Sequence, residues 1–522
     1  CKTEAVHPAF LTKIIRGFLA PYTNEMKAVR RQDLEDLYFF EGSVYVSGVE
    51  ALIRRKSFYH EKCLPYVVPK WKSFEIEDYR NFDGLKIKRY NKMNYSERLN
   101  HVIPGGCHTY SRGDDQYPQN APQILQRGEG AYVYTPEGDR FLDYGMALRA
   151  VTLGYAQKDV ANAAIEQIWN GNNLTRASLI ELQAAELLTE LIPSVEMVKF
   201  AKNGSTVTTA ALKIARAYTG RKYIARCYDH PFFSFDDWFI GDTPLTRGIP
   251  EEYHSLTLHF HYNDIASLQE LFDRYPGQIA GVILEPATGS HPENNFLHQV
   301  QDLCHRNGAL FILDEMITGF RWHLQGAQTY YHVEPDLCTF GKGMANGFSV
   351  AAVAGKREYM NVGGIKESGA ERVFLTSTTH GAEMCGMGAF VETIKVYQQQ
   401  NVIEHLWNYG GKLINGMNAI ARELGVAENF NVYGVPCSPN YLTKDKNGEV
   451  SMGLRTLFSQ EMIKNGVLMP WIAISLAHGE AELEKTLEAT RKSLQVYARA
   501  VSEGYEKYLK GEVIKPVFRK YN

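Results

Sequence analysis

The residues best suited to chemistry lie between Gly308 and Gly355. This stretch reads G-A-L-F-I-L-D-E-M-I-T-G-F-R and then, after a polar span, E-P-D-L-C-T-F-G-K-G-M-A-N-G-F-S-V-A-A-V-A-G. Asp314 and Glu315 follow at once on the apolar run Ala309 to Leu313, and Lys342 sits between two glycines just past a second run, Leu337 to Phe340. Apolar runs without polar alternation mark strands buried on both faces, and open α/β sheets keep their ligands at the carboxyl ends of such strands. An acid and an amine at two such tips are what a pyridine-aldehyde cofactor needs. The amine forms the Schiff base, and the acid keeps the ring nitrogen protonated so that the ring accepts electrons. The plainer reading makes Asp314 a helix cap and Lys342 a solvated amine, but a surface lysine gains nothing from flanking glycines behind a buried strand.

Three further strand tips carry polar groups. Val198 to Ala201 runs into Lys202-Asn203-Gly204-Ser205-Thr206 and then an amphipathic helix to Tyr218. Strand, small-residue turn and helix start form a general phosphate site, where free backbone N–H groups and the positive end of the helix dipole meet the anion. Lys222 to Arg226 reads as a strand ending at Cys227-Tyr228, and Ile279 to Leu284 as one tipped by Glu285-Pro286-Ala287-Thr288-Gly289-Ser290.

These runs, D-E-x-x-T-G-F-R and P-D-L-x-x-x-G-K above all, closely resemble the class III pyridoxal-phosphate-dependent aminotransferases and, within them, glutamate-1-semialdehyde aminomutase. The resemblance covers most of the chain after the first ninety or so residues. It implies the PLP-dependent transferase fold of type I: an α/β fold with a mostly parallel, seven-stranded-type sheet, helices on both faces and a small C-terminal α/β domain. It also implies pyridoxal 5'-phosphate as cofactor, with Lys342 as Schiff-base lysine and proton carrier and Asp314 at the ring nitrogen. Asn203, Gly204 and Ser205 stand where the family holds the phosphate, Asn203 replacing a serine. Tyr228 stands where an aromatic residue stacks on the ring, with Glu285 beside the cofactor. Ser290 replaces an asparagine that reaches the phenolic oxygen, and Thr378 matches a threonine that crosses to the partner subunit's phosphate. In I-P-G-G-x-x-T-x-x-R, Thr109 replaces a serine and Arg112 matches the arginine used on a substrate carboxylate. Arg149 is unusual for the family: it reads an acidic group on the substrate or pairs with a core carboxylate.

The remaining elements follow from pattern. Tyr95 to Val102 reads as a helix stopped by Pro104-Gly105-Gly106. Gly128 to Asp143 reads as an antiparallel ribbon turning at Pro136-Glu137-Gly138. Ser178 is placed to cap a helix that ends at Pro193. Helical spacing recurs over Val402 to Leu424 and Glu480 to Tyr508, with strand-like pieces at Val467 to Pro470 and Ile474 to His478 between them. The basic tail Lys510 to Asn522 reads as loosely packed.

Residues 1–82 resemble the C-terminal part of an acylneuraminate cytidylyltransferase. Tyr38 to Val46 reads as turn and strand, Gly48 to Phe58 as helix and Pro65 to Pro69 as extended chain, followed by the alternating acids Glu75, Glu77 and Asp78. Clustered carboxylates suit Mg²⁺, but an acidic edge strand facing water is the favoured reading, so no metal site is expected. The nucleotide loop that opens that family is absent, and the segment reads as a partial domain. The expected organisation is 1–82 partial domain, 83–94 linker, 95–170 N-terminal segment of the catalytic unit, 171–400 cofactor-binding domain and 401–522 small domain.

At 522 residues the chain exceeds one ordinary domain. A net charge of −3 suggests no nucleic-acid partner, and no apolar run approaches a membrane span. Eight scattered cysteines without C-x-x-C spacing read as reduced, and the compartment as cytoplasmic. A chain beginning with Cys rather than Met reads as part of a longer product. The expected partners are a small-molecule amino donor and a carbonyl acceptor, in a homodimer with shared sites. The expected activity is amino transfer to a keto or aldehydo sugar or related acid, in activated-sugar (nonulosonic-acid-type) synthesis. The alternatives are aminomutase-like intramolecular transfer and, in another class, a non-catalytic scaffold for a sugar-activating enzyme.

Overall fold

The computed structural model describes residues 93–522 and, before them, the backbone of three short strands: β1 (Leu11–Ile15), β2 (Phe18–Pro21) and β3 (Tyr38–Phe39). The chain forms two units, Cys1–Asn94 and Tyr95–Asn522. In the first, the strands lie antiparallel in the order β2-β1-β3, with Leu11 opposite Phe39 and Ile15 opposite Phe18. The helix read at Gly48 to Phe58, the extended Pro65 to Pro69 and the acids Glu75, Glu77 and Asp78 lie outside the described residues.

The second unit opens with helix α1 (Tyr95–Val102) and a ribbon of β4 (Arg127–Glu129), β5 (Tyr132–Tyr134) and β6 (Arg140–Asp143). Helices of eight residues or more follow: α2 (Lys158–Trp169), α3 (Leu179–Leu191), α4 (Gly204–Thr219), α5 (Ile265–Arg274) and α6 (Phe296–Arg306). Ser178 caps α3 in a full capping box with Glu181.

Seven strands form the central sheet: β7 (Met197–Ala201), β8 (Tyr223–Cys227), β9 (Thr257–Phe260), β10 (Ile279–Leu284), β11 (Leu310–Asp314), β12 (Leu337–Phe340) and β13 (Ala351–Gly355). Their order is β7-β13-β12-β11-β10-β8-β9. Only β13 runs against the others, pairing antiparallel with both β12 and β7. This is the mostly parallel type I architecture. Alternate side chains serve opposite faces: Leu310 and Ile312 pack with α4, while Phe311 and Leu313 pack with α5 and α6. Each such fully buried Leu, Ile or Phe contributes about 1.5–3 kcal/mol of transfer free energy, a rigid support for the charges at the strand ends.

Beyond the sheet come α7 (Met384–Gln399), α8 (Val402–Glu423), the hairpin β14 (Phe430–Val435) and β15 (Ser438–Thr443), α9 (Met452–Lys464), β16 (Val467–Leu468) and α10 (Glu480–Glu503). Strand β16 returns to the ribbon and pairs parallel with β6, Val467 opposite Leu142. Two expectations are corrected here. Ile474 to His478 forms no ladder but a turn, in which the Ser475 N–H donates to His478 Nδ1 at 3.1 Å. The tail is not loose: Lys510 N–H donates to Gln460 Oε1 (2.9 Å), Ile514 N–H to Thr456 Oγ1 (3.1 Å) and Lys515 N–H to the Asp115 carbonyl (2.9 Å). Among the described residues no helix is long and apolar enough to cross a membrane, no metal-ligand cluster occurs, and the cysteines are free thiols.

Candidate active site

Three adjacent parallel strands deliver three ionisable groups to one edge of the sheet. Leu284 pairs with Leu313 and Asp314 with Thr339, so the carboxyl ends of β10, β11 and β12 lie side by side. Glu285 follows β10, Asp314 ends β11 and Lys342 comes two residues after β12. Asp314 is 1% exposed and accepts from the Met316 N–H (3.0 Å) and the Thr339 hydroxyl (2.9 Å). Burial raises its pKa to about 6, against the pull of those hydrogen bonds and of Lys342. Glu285 is buried too. Burial, then the charge of Asp314, pushes its pKa up, and its Oε2 has no hydrogen-bond partner among the described residues. Burial pushes the Lys342 amine below the usual lysine value, opposed first by Glu285 and then by Asp314. Lys342 is held at φ +44 in a tight turn, a backbone region few non-glycine residues adopt.

Glu315, beside Asp314, has a different task. It is fully buried and accepts from the Thr318 hydroxyl (2.7 Å), the Ala327 N–H (2.7 Å) and the Gln328 N–H (2.9 Å). One acid of the pair fastens the following loop, which leaves the other for chemistry.

On the far side of β13, Ala201 ends β7 opposite Ala351, beside the end of β12. The next residues start α4. Asn203 is its N-cap: Oδ1 accepts from the Thr206 N–H (2.9 Å) and hydroxyl (3.1 Å). Ser205 is buried, and its Oγ accepts from the Phe235 N–H at 3.0 Å. A Cβ added to Gly204 would lie 3.0 Å from Met316 Sδ, and one on Gly341 2.7 Å from the same atom. The first turn of α4 and the residue before Lys342 therefore close on one thioether, and both glycines are needed for that approach.

Arg149 ends a turn for which the sequence holds no signal. Met146, Ala147, Leu148 and Arg149 all have positive φ, from +39 to +68, a left-handed turn built without glycine. Asp143 holds its start, accepting from the Gly145 N–H (2.7 Å), the Met146 N–H (3.0 Å) and the Tyr155 hydroxyl (2.6 Å). The Ala147 N–H donates to the same Tyr155 oxygen at 2.9 Å. The Arg149 guanidinium donates to Ser438 Oγ (2.6 Å) and Asn440 Oδ1 (3.0 Å) on β15. Both partners are neutral, and no ion pair forms with a carboxylate among the described residues. Burial, then the nearby charge of Arg321, lowers its pKa to about 10, with Glu285 acting the other way. Of the two sequence readings, pairing with a core carboxylate is thereby not what the structure contains.

The other expected residues lie as follows. Tyr228 immediately follows β8 and is 54% exposed, its ring beside those of His259 (5.0 Å between centroids) and His261 (5.8 Å). Ser290 is exposed and follows Gly289, which packs on Tyr433 and Asn440. Thr378 is exposed, with its Oγ1 near Gly381. Thr109 precedes the short turn Tyr110–Arg112; Arg112 is exposed, forms no ion pair among the described residues and acts electrostatically on Tyr155. Sequence reasoning missed His230, buried with Nδ1 accepting from the Glu285 N–H at 3.0 Å and Nε2 unpartnered. It also missed Asn346, whose Oδ1 accepts from the Thr152 and Leu153 N–H groups at 3.0 and 2.9 Å. The run Asp229-His230-Pro231 directly after Tyr228 was the one available signal for His230.

A lysine and an acid at neighbouring strand ends of a mostly parallel seven-stranded sheet, with a helix start beside them, define a PLP-dependent transferase of fold type I. Comparison with known proteins narrows the class: the sequence pattern described as Aminotransferase class-III matches residues 114–470. The chain belongs to the class III aminotransferases. It is 32% identical over 419 residues to a 3-aminobutyryl-CoA aminotransferase of Cloacimonas acidaminovorans, covering 78% of this chain and 98% of that one. It is 31% identical over 436 residues to a glutamate-1-semialdehyde 2,1-aminomutase of Alkaliphilus metalliredigens, covering 79% and 97%. Among solved structures, the FumI protein of Sphingopyxis sp. MTA144 superposes with a TM-score of 0.72 at 26% identity, covering 78% and 97%.

The protein is therefore a PLP-dependent enzyme, and its residues fit that cofactor. Lys342 would supply the amine, Asp314 a carboxylate for the ring nitrogen, and the first turn of α4 an anion site. The buried, unpartnered Glu285 Oε2 and His230 Nε2 leave polar capacity at the same edge.

Proposed function

We propose that this enzyme transfers an amino group to a keto or aldehydo compound that carries a carboxylate and a polar body, such as a sugar acid in activated-sugar synthesis. The observation that carries the reading is Arg149, a partly buried cation whose hydrogen-bond partners, Ser438 and Asn440, are neutral. A cation drawn partly out of water without a direct ion-pair partner is costly, and a substrate carboxylate would offset that cost bidentately. Arg112, with Thr109 before it, is assigned a second carboxylate contact nearer the opening. The cytidylyltransferase-like sequence of residues 1–82 points to the sugar class.

When bound, PLP supplies an electron sink for the pair left behind as a proton leaves the amine-bearing carbon. Lys342 Nζ takes that proton and returns it, and burial, by lowering its pKa, favours the free amine that this role needs. Asp314 stabilises positive charge at the ring nitrogen. The N–H groups of Gly204 and Ser205, with Asn203 holding the turn, bind the phosphate. Tyr228 would cover the ring face, and Glu285 and Ser290 would serve its oxygen-bearing edge. Thr378 reaches the phosphate of the partner subunit in a homodimer.

A second reading, intramolecular amino transfer of the aminomutase kind, is favoured by the 31% identity to an aminomutase over nearly its whole length. The test offers keto- and aldehydo-sugar acids with an external amino donor, and separately glutamate 1-semialdehyde with none. Product from the sugar acids supports the proposal; turnover of the semialdehyde alone replaces it with the second reading.

A further inference from the structure

The C-terminal tail, residues 510–522, is an ordered strap across residues 400 positions away in sequence. Lys515 pairs with the 114–116 turn in both directions: its N–H donates to the Asp115 carbonyl (2.9 Å), and its own carbonyl accepts from Gln116 Nε2 (2.9 Å). Arg519 Nη2 then donates to Asp115 Oδ2 at 2.5 Å, and Nη1 closes onto the Pro516 carbonyl at 2.8 Å. The remaining nitrogen, Arg519 Nε, is buried with no partner among the described residues. Outside the strap itself, the hydrogen bond this guanidinium makes is to the Asp115 carboxylate. Upstream, Gln460 ties both sides together, accepting from the Lys510 N–H and, through its carbonyl, from Asn120 Nδ2 at 2.9 Å each.

The strap's other end reaches a second segment. Phe518 stacks on Phe232 (6.5 Å between centroids, 30° between planes) and meets Phe239 edge-on at 6.1 Å. That segment is fixed to the start of α4: the Phe235 N–H donates to Ser205 Oγ (3.0 Å), and Thr208 Oγ1 donates to the Phe233 carbonyl (2.9 Å). One strap therefore joins the turn that follows Arg112 to the loop seated on the phosphate helix.

The turn itself transmits this hold. Arg112, Gly113 and Gln116 donate their N–H groups to Thr109, Tyr110 and Gly113, at 2.9, 2.9 and 3.0 Å. A Cβ on Gly113 would stand 2.8 Å from Asp115 Oδ1, so the backbone beside Arg112 lies directly on the carboxylate that Arg519 grips. Arg112 makes no ion pair among the described residues; its place is set by this turn. An exposed arginine gains specificity only if its backbone is fixed, since holding a long side chain in one geometry costs conformational entropy.

We propose that Phe518 and Arg519 are positioning residues for the amino-transfer reaction, holding the Thr109–Arg112 turn in register with the cofactor-side loop so that Arg112 meets the substrate's carboxylate. The inference rests on the reading of Arg112 as a carboxylate contact. It is tested with two reagents that condense with bound cofactor and displace Lys342 whatever the natural substrate: aminooxyacetate, which carries a carboxylate, and O-methylhydroxylamine, which does not. In the native enzyme aminooxyacetate bleaches the cofactor faster, and Phe518→Ala and Arg519→Ala each lower that preference by about ten- to a hundredfold. Their rates with O-methylhydroxylamine stay native, and Arg519→Lys restores most of the preference. In the cofactor-free protein, the amides of residues 112, 113 and 116 exchange faster in both alanine variants, while those of β11 do not. Native preference or native exchange in both alanine variants overturns the proposal. Absence of any preference in the native enzyme, with Arg112→Ala unchanged, shows instead that the Arg112 reading is wrong, and the proposal falls with it.

Discussion

Arg321 donates from Nη2 to the carbonyl oxygen of Arg149 at 3.0 Å, and from Nη1 to that of Ile474 at 3.2 Å. A fully buried cation thus fastens the end of the left-handed turn that carries a second, partly buried cation. With Asp143 and Tyr155 at the start of the turn and Arg321 at its end, four strained residues are held from both sides. Each such non-glycine residue costs roughly 1–2 kcal/mol. Ala147, at φ +49, is the position where glycine relieves strain with least lost packing. Ala147→Gly should leave stability unchanged or raised by about 1 kcal/mol, since the relief exceeds the added chain entropy of about 0.4–1 kcal/mol. The same change loosens Arg149, so KM for an anionic substrate should rise several-fold with kcat little altered. Urea unfolding and steady-state kinetics check the two halves; a marked loss of stability would show that the turn is not strained.

Lys342 is the amine on which the proposed chemistry turns. Lys342→Ala should fold, because the side chain is only half-buried and its turn is anchored by neighbours such as Asn346. It should lose all borohydride-trappable attachment of the cofactor. Proton transfer alone accounts for about 10²–10⁴-fold in rate, so turnover should fall by at least that factor. A variant that still traps cofactor covalently would place the Schiff base on another lysine.

Burial raises the pKa of Asp314 from 3.8 to about 6. In the cofactor-free protein the folded state therefore holds this proton more tightly than the unfolded chain does. The associated stability is fully present below pH 4 and is lost as pH rises through about 6; a shift of this size corresponds to about 3 kcal/mol. Asp314→Asn removes the titration. Relative to the native sequence, the cofactor-free variant should be about 3 kcal/mol more stable at pH 7.5 than it is at pH 4. Denaturant unfolding at the two values measures the difference, and equal differences at both would rule out a buried, ionising Asp314. The loaded enzyme should show the opposite preference, with the variant retaining cofactor poorly because the ring nitrogen loses its counter-charge.

What could be read from sequence follows the range of the forces involved. Asp314 and Lys342 were legible because a run buried on both faces followed by a charge is a local pattern that little else in a folded chain produces. The capping box at Ser178 and Glu181 lies within four residues and was legible for the same reason. The turn at Met146–Arg149 was not: its residues disfavour positive φ locally, and only contacts with Asp143, Tyr155 and Arg321 impose it. The tail from Lys510 carries no hydrophobic period, and its partners Asp115 and Phe232 lie hundreds of residues away, so its order was invisible. Strands β14 and β15 escaped because Gly434, Pro436 and Pro439 break the alternation a hairpin ordinarily shows.

The proposed homodimer, with Thr378 crossing to a partner, has its own physical support. Trp169 is 85% exposed and Leu179 70%, and Ile165, Ile168 and Leu182 near them are also exposed. They belong to α2 and α3, both of which pack on α7. Large apolar side chains gathered on neighbouring helices mark an association surface rather than a solvated one, and each that is fully buried contributes about 1.5–3 kcal/mol. Sedimentation should therefore show a dimer at micromolar concentration, and Trp169→Glu with Leu179→Glu should shift it to monomer. If Thr378 completes the partner's phosphate site, the monomeric double variant should lose cofactor affinity although Lys342 and Asp314 are intact. In the dimer, Thr378→Ala should weaken cofactor binding by about 1–1.5 kcal/mol, one hydrogen bond's worth, without changing the sedimentation. A native protein that sediments as a monomer and yet binds cofactor tightly would show that each chain completes its own phosphate site.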